Sequence, residues 1–526
     1  MNRVKPIISS FIQYLTAFIC FSISYMFTYP QYDVLLFTRD FDGDIFSVLH
    51  EALYYGNGRF LGNVFGFYFS HHFKAAVFVT AFFLTVTVIL LNNIFFSKRT
   101  HMIFPIAVLI AFPAIGIIRE VYSMIAAFCN YAIPFTFALL SILIIKKMNS
   151  GSSKALTIPL ILSSAFSCLF SENTTVVMAC IALIILICDY FKDKSFSFSG
   201  IINFCGTVIG TTVMFLIPRV THTTENLSYY RGYVTEPTAL IHNAVSTLKN
   251  FALLADQYLI IYLVISIIMI FVIKNYCRVN VAIKSTLIII LVALPISSIY
   301  TLIFLESAEH LSIIFFFLEI LYLAAVLLIC ILSSRKDLIV SVVVCIVMLA
   351  SAVAPIMIVN HRGDRTFFTT FAILLCYTMY LIASVGKEFE KTKIIEVFSR
   401  VFSPVAFISI SLIILTLTAQ NFAAYSFRAN FIAKEMAVTR NISVPYLPHE
   451  RLATENTFRQ IDPCLFGGND APTYTVIEVE QWSEKDQYKI IVESSPIEAV
   501  KYAVQSWDFK DPKYPNKLLQ KYEASN

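Results

Sequence analysis

The chain alternates long apolar runs with short polar connections. A membrane-crossing helix needs about 20 mostly apolar residues, and thirteen runs meet or approach that length. The runs lie at 7–29, 74–96, 102–118, 121–145, 155–171, 174–190, 200–218, 251–273, 285–305, 311–332, 338–359, 366–385 and 401–420. The first run is too long for a signal-peptide core and lacks a clear small-residue cleavage site, so it is predicted to be a retained span. The pattern therefore predicts an α-helical polytopic membrane protein with about 13 transmembrane helices.

Composition supports this reading and excludes several other classes. Of the 526 residues, 58% are hydrophobic and only 14% are charged, and the mean hydropathy is +0.74. Soluble globular proteins carry about 25% charged residues, so one water-soluble core could not hide this much apolar surface. Disorder and a disulfide scaffold are excluded as well. The formal net charge of +5 is small, and its distribution does not indicate a nucleic-acid partner.

The composition changes near residue 421. Residues 1–420 are predicted to form the transmembrane domain, whereas 421–526 are rich in charged residues and hold both tryptophans. The pattern at 421–440 is typical of an amphipathic helix that leaves the membrane, and the alternation at 474–480 and 488–493 is typical of strands. The tail is therefore predicted to be a small α/β domain.

The distribution of lysine and arginine predicts the orientation of the chain. Alternate connections are basic, for example at Lys98-Arg99, Lys146-Lys147 and Arg335-Lys336. The positive-inside rule assigns these connections to the cytoplasm. The N-terminus is then cytoplasmic, and the C-terminal domain is extracytoplasmic, in the periplasm or outside the cell. We expect the protein to be a multi-pass protein of a bacterial inner (cytoplasmic) membrane.

The first outer loop, 30–73, is acidic and far longer than a simple connector. Asp40, Asp42 and Asp44 stand at every second position. A helical apolar pattern begins at Ile45, with Glu51 on its polar face, and it predicts a helix in the membrane interface whose first turn Asp44 caps. A solvated turn and a cap would explain any one of the three aspartates. Together with the interfacial helix and Arg59, they indicate a candidate reaction site.

Other charged residues also stand at predicted outer ends of spans. Arg119-Glu120 and Glu172-Asn173 have almost no loop to solvate them, so each charge should have a partner within the protein. Arg362 and Arg365 flank Asp364 and are spaced like a clamp for a phosphate-type anion, since guanidinium is a forked, permanently charged donor. Contact with outer-leaflet lipid headgroups explains these two arginines equally well.

These groups fit a reaction with a lipid-linked sugar donor. Transfer of a sugar from a polyprenyl phosphate needs a carboxylate that takes the proton from an acceptor hydroxyl. It also needs positive groups that hold the phosphate as it leaves, and a groove for the prenyl tail. We expect catalysis by Asp42, Asp44 or Asp40, phosphate binding by Arg59, Arg362 and Arg365, and a substrate pocket. The pocket residues would be Glu51, Arg119, Glu120, Glu172, Asn173 and Asp364.

The arrangement resembles the GT-C class of integral-membrane glycosyltransferases. More narrowly, it is similar to the bacterial and phage membrane glucosyltransferases that modify O-antigen and to their uncharacterised multispanning relatives. In that class the first outer loop bears one or two essential acidic residues beside a membrane-parallel helix, and a soluble domain often follows the last span. The matching residues are Asp42-Gly43-Asp44, Gly58-Arg59 and Ser171-Glu172-Asn173-Thr174. The acids are adjacent in the family and split by Gly43 here, which leaves open whether Asp42 or Asp44 is the base.

The resemblance implies a polyprenyl-phosphate sugar as donor, a cell-envelope glycan or lipid-linked acceptor, and contact with membrane lipids. Some members use a divalent cation, and the acids of the first loop would suit Mg²⁺ or Mn²⁺; no dedicated protein ligands for a metal are evident. Two alternatives remain: a polymerase or ligase of lipid-linked polysaccharide, and a transporter or flippase of lipid-linked sugars. Transporters commonly show repeats and mid-span charges. No repeat is evident, and the charges stand at outer ends and not within spans, which favours interfacial catalysis.

Overall fold

The structure is a computed structural model and is mostly helical. It describes several separate ranges of the chain. The described residues are 4–30, 34, 37–38, 44–54, 59–97, 99–151, 154–221, 236–304, 309–358, 363–389, 398–436, 441–445, 447–449, 473–477, 479–493, 495–511 and 513–524. The main helices before the tail are α1 (Val4–Ser24), α2 (Ile45–Tyr54), α3 (Phe60–His71), α4 (Phe73–Phe95), α5 (Thr100–Ala111), α6 (Ile115–Tyr122), α7 (Ile125–Asn149), α8 (Thr157–Ser167), α9 (Glu172–Asp193), α10 (Phe198–Thr221), α11 (Pro237–Ala255), α12 (Leu259–Tyr276), α13 (Val281–Ile303), α14 (Ser312–Leu332), α15 (Lys336–Met357), α16 (Phe368–Phe389) and α17 (Ser403–Met436).

Ten helices of the described segments are long and apolar enough to cross a membrane: α4, α7, α9, α10 and α12 to α17. They coincide with ten of the thirteen predicted spans. Many of their apolar side chains are exposed, such as Phe78, Ile289 and Phe317. In a soluble protein so much exposed apolar surface would be a liability, whereas in a bilayer it faces lipid. The chain is therefore a helical, multi-pass membrane protein.

The other three predicted spans are not among these ten. The run at 7–29 holds the continuous helix α1, the run at 155–171 holds the shorter helix α8, and the run at 102–118 holds the broken pair α5 and α6, which bends by 85°. Pro113 explains the break, because proline lacks the N–H that a helix needs and keeps the preceding residue out of the helical region. If the broken pair counts as one span, the described segments hold eleven candidates, so thirteen is not reached by helix length.

The tail packs against the end of the bundle from which α17 emerges. α17 continues without a break through the predicted amphipathic segment to Met436, and its last turns share a core with Phe27, just after α1, and with Trp482 and Tyr488 of the tail. The described part of the tail also contains β1 (Asn441–Pro445), β2 (Thr473–Ile477), α18 (Pro496–Gln505) and α19 (Tyr514–Glu523).

The strands β1 and β2 pair in parallel, with Asn441 opposite Thr473. β2 confirms the first part of the strand predicted at 474–480, whereas Val479–Gln481 forms a helical turn. The strand predicted at 488–493 is wrong, because Lys489–Glu493 forms a helical turn. Six residues of alternating pattern are too few to separate a strand from a helix, and packing decides between them: Tyr488 and Val492, four positions apart, are both fully buried.

Lys510 joins the tail to the bundle. Its side chain is completely buried, and its ammonium donates a hydrogen bond to the carbonyl of Thr28 at 2.7 Å. The ammonium also lies 4.8 Å from the ring centre of Trp507 and 5.5 Å from those of Phe73 and Phe422. Burial lowers the pKa of Lys510 to about 7, because the charged form loses its hydration.

We expect Lys510→Met to remove a pH-dependent component of stability. In the unfolded chain the lysine stays protonated up to about pH 10.4, whereas in the folded chain it loses its proton above about pH 7. The wild type should therefore gain stability as the pH rises from about 7 to about 10. The measurement is the unfolding midpoint across this pH range. The midpoint should rise with pH in the wild type and in the control Lys513→Met, which replaces an exposed lysine. It should not show this rise in Lys510→Met. Parallel profiles for the two variants would contradict the expectation.

Candidate functional site

The helix predicted in the first outer loop is present as α2. Asp44 caps it, because its Oδ2 accepts hydrogen bonds from the backbone N–H groups of Phe46 at 3.1 Å and Ser47 at 3.2 Å. Val48 and Ala52 pack on Phe67 of α3. Three other apolar side chains of α2 are exposed: Ile45, Phe46 and Leu49. A helix in the membrane interface requires such an exposed apolar face.

Arg59, just before α3, pairs with Glu172, the first residue of α9. The guanidinium lies 2.9 Å from the carboxylate, and the side chains are 28% and 20% exposed. The guanidinium carbon also lies 5.9 Å from the ring centre of Tyr131 on α7. Burial alone lowers the pKa of Arg59, but the charge of Glu172 and the contact with Tyr131 outweigh it and raise the pKa above its usual value. The arginine therefore remains charged at any physiological pH.

A second charged cluster joins α6 to the turn before α16. Arg119 donates to Asp364 at 2.7 Å and to Glu120 at 3.4 Å. Glu120 accepts the backbone N–H of Arg365 at 3.0 Å. Arg119, Glu120 and Asp364 are each less than a third exposed. The sequence predicted that the charges of this tight connection have partners within the protein, and the structure confirms it across 245 positions of chain.

Two glycines permit the close approach within this cluster. Gly116 lies against the carboxylate of Asp364, where a Cβ atom would collide with it. A Cβ atom on Gly363 would lie 2.5 Å from Oε2 of Glu120. Arg119 and Glu120 themselves stand on a π-helical turn, Ile118–Tyr122. Such turns are rare in proteins overall, and many of those known lie at functional sites.

A hydrogen bond connects the two clusters. The side-chain amide of Asn173, next to Glu172, donates to the carbonyl of Thr366 at 2.9 Å, and Thr366 belongs to the turn that carries Asp364. The amide of Gln257 also supports this region, because it accepts the N–H of Ile115 at the start of α6 at 3.2 Å. Five separate stretches of chain therefore meet at one end of the bundle, which we call the site end.

An apolar cavity of about 640 Å³ begins beside the two clusters. It lies between α7, α9, α15 and α16. At the site end its walls include Tyr131, Thr174 and Thr369, and at the opposite end Lys336 and Tyr380. The lining on α16 runs from residue 368 to residue 380, which at the rise of an α-helix is about 18 Å. The cavity is long enough for an extended apolar chain, and its wall residue Tyr131 contacts Arg59.

Three predicted site residues cannot be placed: Asp40, Asp42 and Arg362 lie outside the described residues. Glu51 lies on α2. Within the described segments no three His, Cys, Asp or Glu side chains come together in a way that could hold a metal ion. The Mg²⁺ or Mn²⁺ expected at the first outer loop stays a prediction, because that loop is described only in part.

Sequence reasoning missed several polar residues near the site. Tyr131 and Gln257 gave no signal, because tyrosine and glutamine near helix ends are common. Glu319 had a signal, since it is a lone acid within the apolar run of α14. The prediction that charges stand at outer ends and not within spans is wrong for this residue, because Glu319 is 5% exposed inside α14. An ionisable residue within a span is a functional candidate by default.

Comparisons of the chain with protein-family models, curated proteins and solved structures found no match.

Proposed function

We propose that the protein is a membrane glycosyltransferase that transfers a sugar from a polyprenyl-phosphate-linked donor to a cell-envelope glycan or lipid-linked acceptor. One observation carries the proposal: two arginine–carboxylate clusters lie near one end of an apolar cavity about 18 Å long, whose wall residue Tyr131 contacts Arg59. A substrate that matches this arrangement has an anionic, hydroxyl-rich head and a long apolar tail. A sugar on a polyprenyl phosphate has both.

Each end of such a substrate would have its own place in the protein. The prenyl tail would occupy the cavity, whose walls are mostly apolar. The phosphate would lie beside Arg59, whose neighbour Tyr131 lines the cavity mouth, with Arg365 and Arg362 as further donors. The carboxylates of Glu172, Glu120 and Asp364 would accept hydrogen bonds from sugar hydroxyls.

The first outer loop would supply the base. Asp42, Asp44 or Asp40 would take the proton from the acceptor hydroxyl while the oxygen forms its bond to the sugar and the phosphate leaves with the bonding electrons. Asp44 already caps α2 through Oδ2, and its other carboxylate oxygen remains for this role. The positive groups near the phosphate would stabilise the charge that develops on it.

The same proposal includes the finer topology. Thirteen crossings, with the N-terminus in the cytoplasm of a bacterial cell, place the site end on the outer face of the inner membrane and the tail outside as a small α/β domain. Nucleotide sugars are scarce on that face, whereas a polyprenyl-phosphate sugar carries its own leaving group. The donor is thus accessible from the bilayer itself.

A lipid-linked sugar flippase is the second candidate. Two observations favour it: the cavity reaches Lys336 at the opposite end of the bundle, and Glu319 is buried within a span, as is common in transporters. A flippase moves its substrate without breaking the bond between sugar and phosphate. Release of the lipid phosphate therefore distinguishes the two functions.

We expect Met348→Trp to weaken binding of the lipid tail. Met348 lines the cavity and is 5% exposed, so a larger side chain would fill the space the tail needs. The loss should be about tenfold or more in affinity, at least about 1.4 kcal/mol. The measurement is binding of a labelled polyprenyl phosphate to the purified protein in lipid nanodiscs.

Val347→Trp is the matched control, because Val347 is adjacent in sequence, 46% exposed and absent from the cavity wall. It should bind as tightly as the wild type. Equal affinity of all three proteins, with the fold intact, would show that the tail does not occupy the cavity.

A further inference from the structure

Glu319 is the most unusual ionisable residue of the described spans. It lies on α14 between apolar residues, is 5% exposed, and its Oε1 atom is buried without a hydrogen-bond partner. An ionised carboxylate in such a place costs several kcal/mol unless a positive charge accompanies it. No lysine, arginine or histidine of the described residues forms an ion pair with it.

A second carboxylate, Asp256, interacts with Glu319. Asp256 follows α11, is fully buried, and accepts hydrogen bonds from Ser297 at 2.5 Å and from Thr301. The other titratable groups that interact with Glu319 are Tyr258, just before α12, and Tyr262 of α12. Two acids and two phenols therefore meet with no balancing cation among the described residues.

We propose that Asp256 and Glu319 form an intramembrane proton-binding site, in which the pair holds one proton at neutral pH. Two neighbouring carboxylates in a medium of low polarity cannot both ionise without a large electrostatic cost. One bound proton halves the charge of the pair and supplies an O–H donor. The site depends on the geometry of α11 to α14 and not on the proposed glycosyltransferase activity.

Glu319 holds the proton. Two hydroxyl groups donate to Asp256, and donors stabilise the ionised form of an acid. The negative charge of the pair therefore lies on Asp256, where these donors stabilise it. Oε1 of Glu319 receives no such donor, which leaves protonation as the way to neutralise it.

The pair is connected to the charged clusters through the residues between α11 and α12. Tyr258 interacts with Glu319 and with Asp364, and its hydroxyl lies 3.4 Å from Thr370 of α16. Gln257, next to Asp256, holds the N–H of Ile115 at the start of α6. Tyr258 and Gln257 therefore link the acid pair to the turn before α16 and to the segment that carries Arg119.

Infrared spectroscopy tests the proposal directly, because a protonated carboxylic acid has a carbonyl band that ionised carboxylates lack. In lipid nanodiscs at pH 8 the wild type should show this band, with the shift in D₂O that an exchangeable proton produces. Glu319→Gln should lose it. Glu498→Gln, a surface control paired with Lys501, should retain it.

Asp256→Asn provides a second reading if Glu319→Gln fails to fold. It should retain the band at a shifted frequency, since Glu319 stays buried but loses its charged neighbour. A wild type without the band at pH 8, or a band that persists in Glu319→Gln, would overturn the proposal. If the band is missing and the unfolding midpoint of the wild type rises with Na⁺ or Ca²⁺, a metal ion occupies the site in place of the proton.

Discussion

Arg119→Met should destabilise the protein strongly, since Arg119 is the positive charge between the carboxylates of Asp364 and Glu120. Without it, two like charges would remain together in a largely desolvated position. Removal of one partner from a buried ion pair costs about 3 to 5 kcal/mol, and the partial exposure here places the expected loss in free energy of unfolding near about 3 kcal/mol. Denaturant titration in lipid nanodiscs would measure it.

Arg335→Met is the matched control for this change. Arg335 also forms an ion pair, with Asp337 at 2.7 Å, but that aspartate is 43% exposed, and exposed pairs contribute at most about 1 kcal/mol. The double variant Arg119→Met, Asp364→Asn should recover part of the lost stability, because it removes one of the stranded carboxylates. Equal losses in the two arginine variants, or no recovery in the double variant, would mean that the cluster does not balance buried charge.

Hydropathy predicted the helices where a span is continuous. Ten predicted spans coincide with long apolar helices, because the length of a crossing and its apolar surface are both fixed by the bilayer. The same rule has no information about bends. Pro113 in the run 102–118 stands at the break between α5 and α6, but a proline alone does not predict a break, because α7 and α13 continue through Pro134 and Pro295.

The sequence predicted that certain charged residues have partners within the protein, but it did not predict which residues those partners are. The short connections at Arg119-Glu120 and Glu172 indicated that these charges have partners in the protein, and they do. The sequence does not identify the partner, because Arg59 and Glu172 stand 113 positions apart and tertiary packing alone brings them together. Gly116 and Gly363 look like ordinary small residues until the carboxylates beside them are known.

The cavity could not be predicted from the pattern at all. Lining residues such as Val177, Ile181 and Met348 have the same chemistry as side chains that face lipid or the core. Only the relative placement of α7, α9, α15 and α16 leaves the space between them. For the same reason the proposed place of a lipid tail comes from the structure, whereas the proposed base in the first outer loop comes from the sequence.

Replacement of the base should have the largest effect on activity. We expect Asp42→Asn or Asp44→Asn to lower sugar transfer by about 10²–10⁴-fold, the usual contribution of a general base. Asparagine caps a helix about as well as aspartate, so Asp44→Asn keeps the bonds to Phe46 and Ser47. A loss of activity in that variant, at unchanged stability, would therefore report on chemistry rather than on folding.

Sugar transfer by the purified protein is the most direct measurement. Incubated with a polyprenyl phosphate that carries a labelled sugar and with envelope acceptors, the wild type should move the label to the acceptor and release the lipid phosphate, and at least one of the two aspartate variants should not. Label that stays on the lipid with the wild type, or full transfer by both variants, would contradict the account.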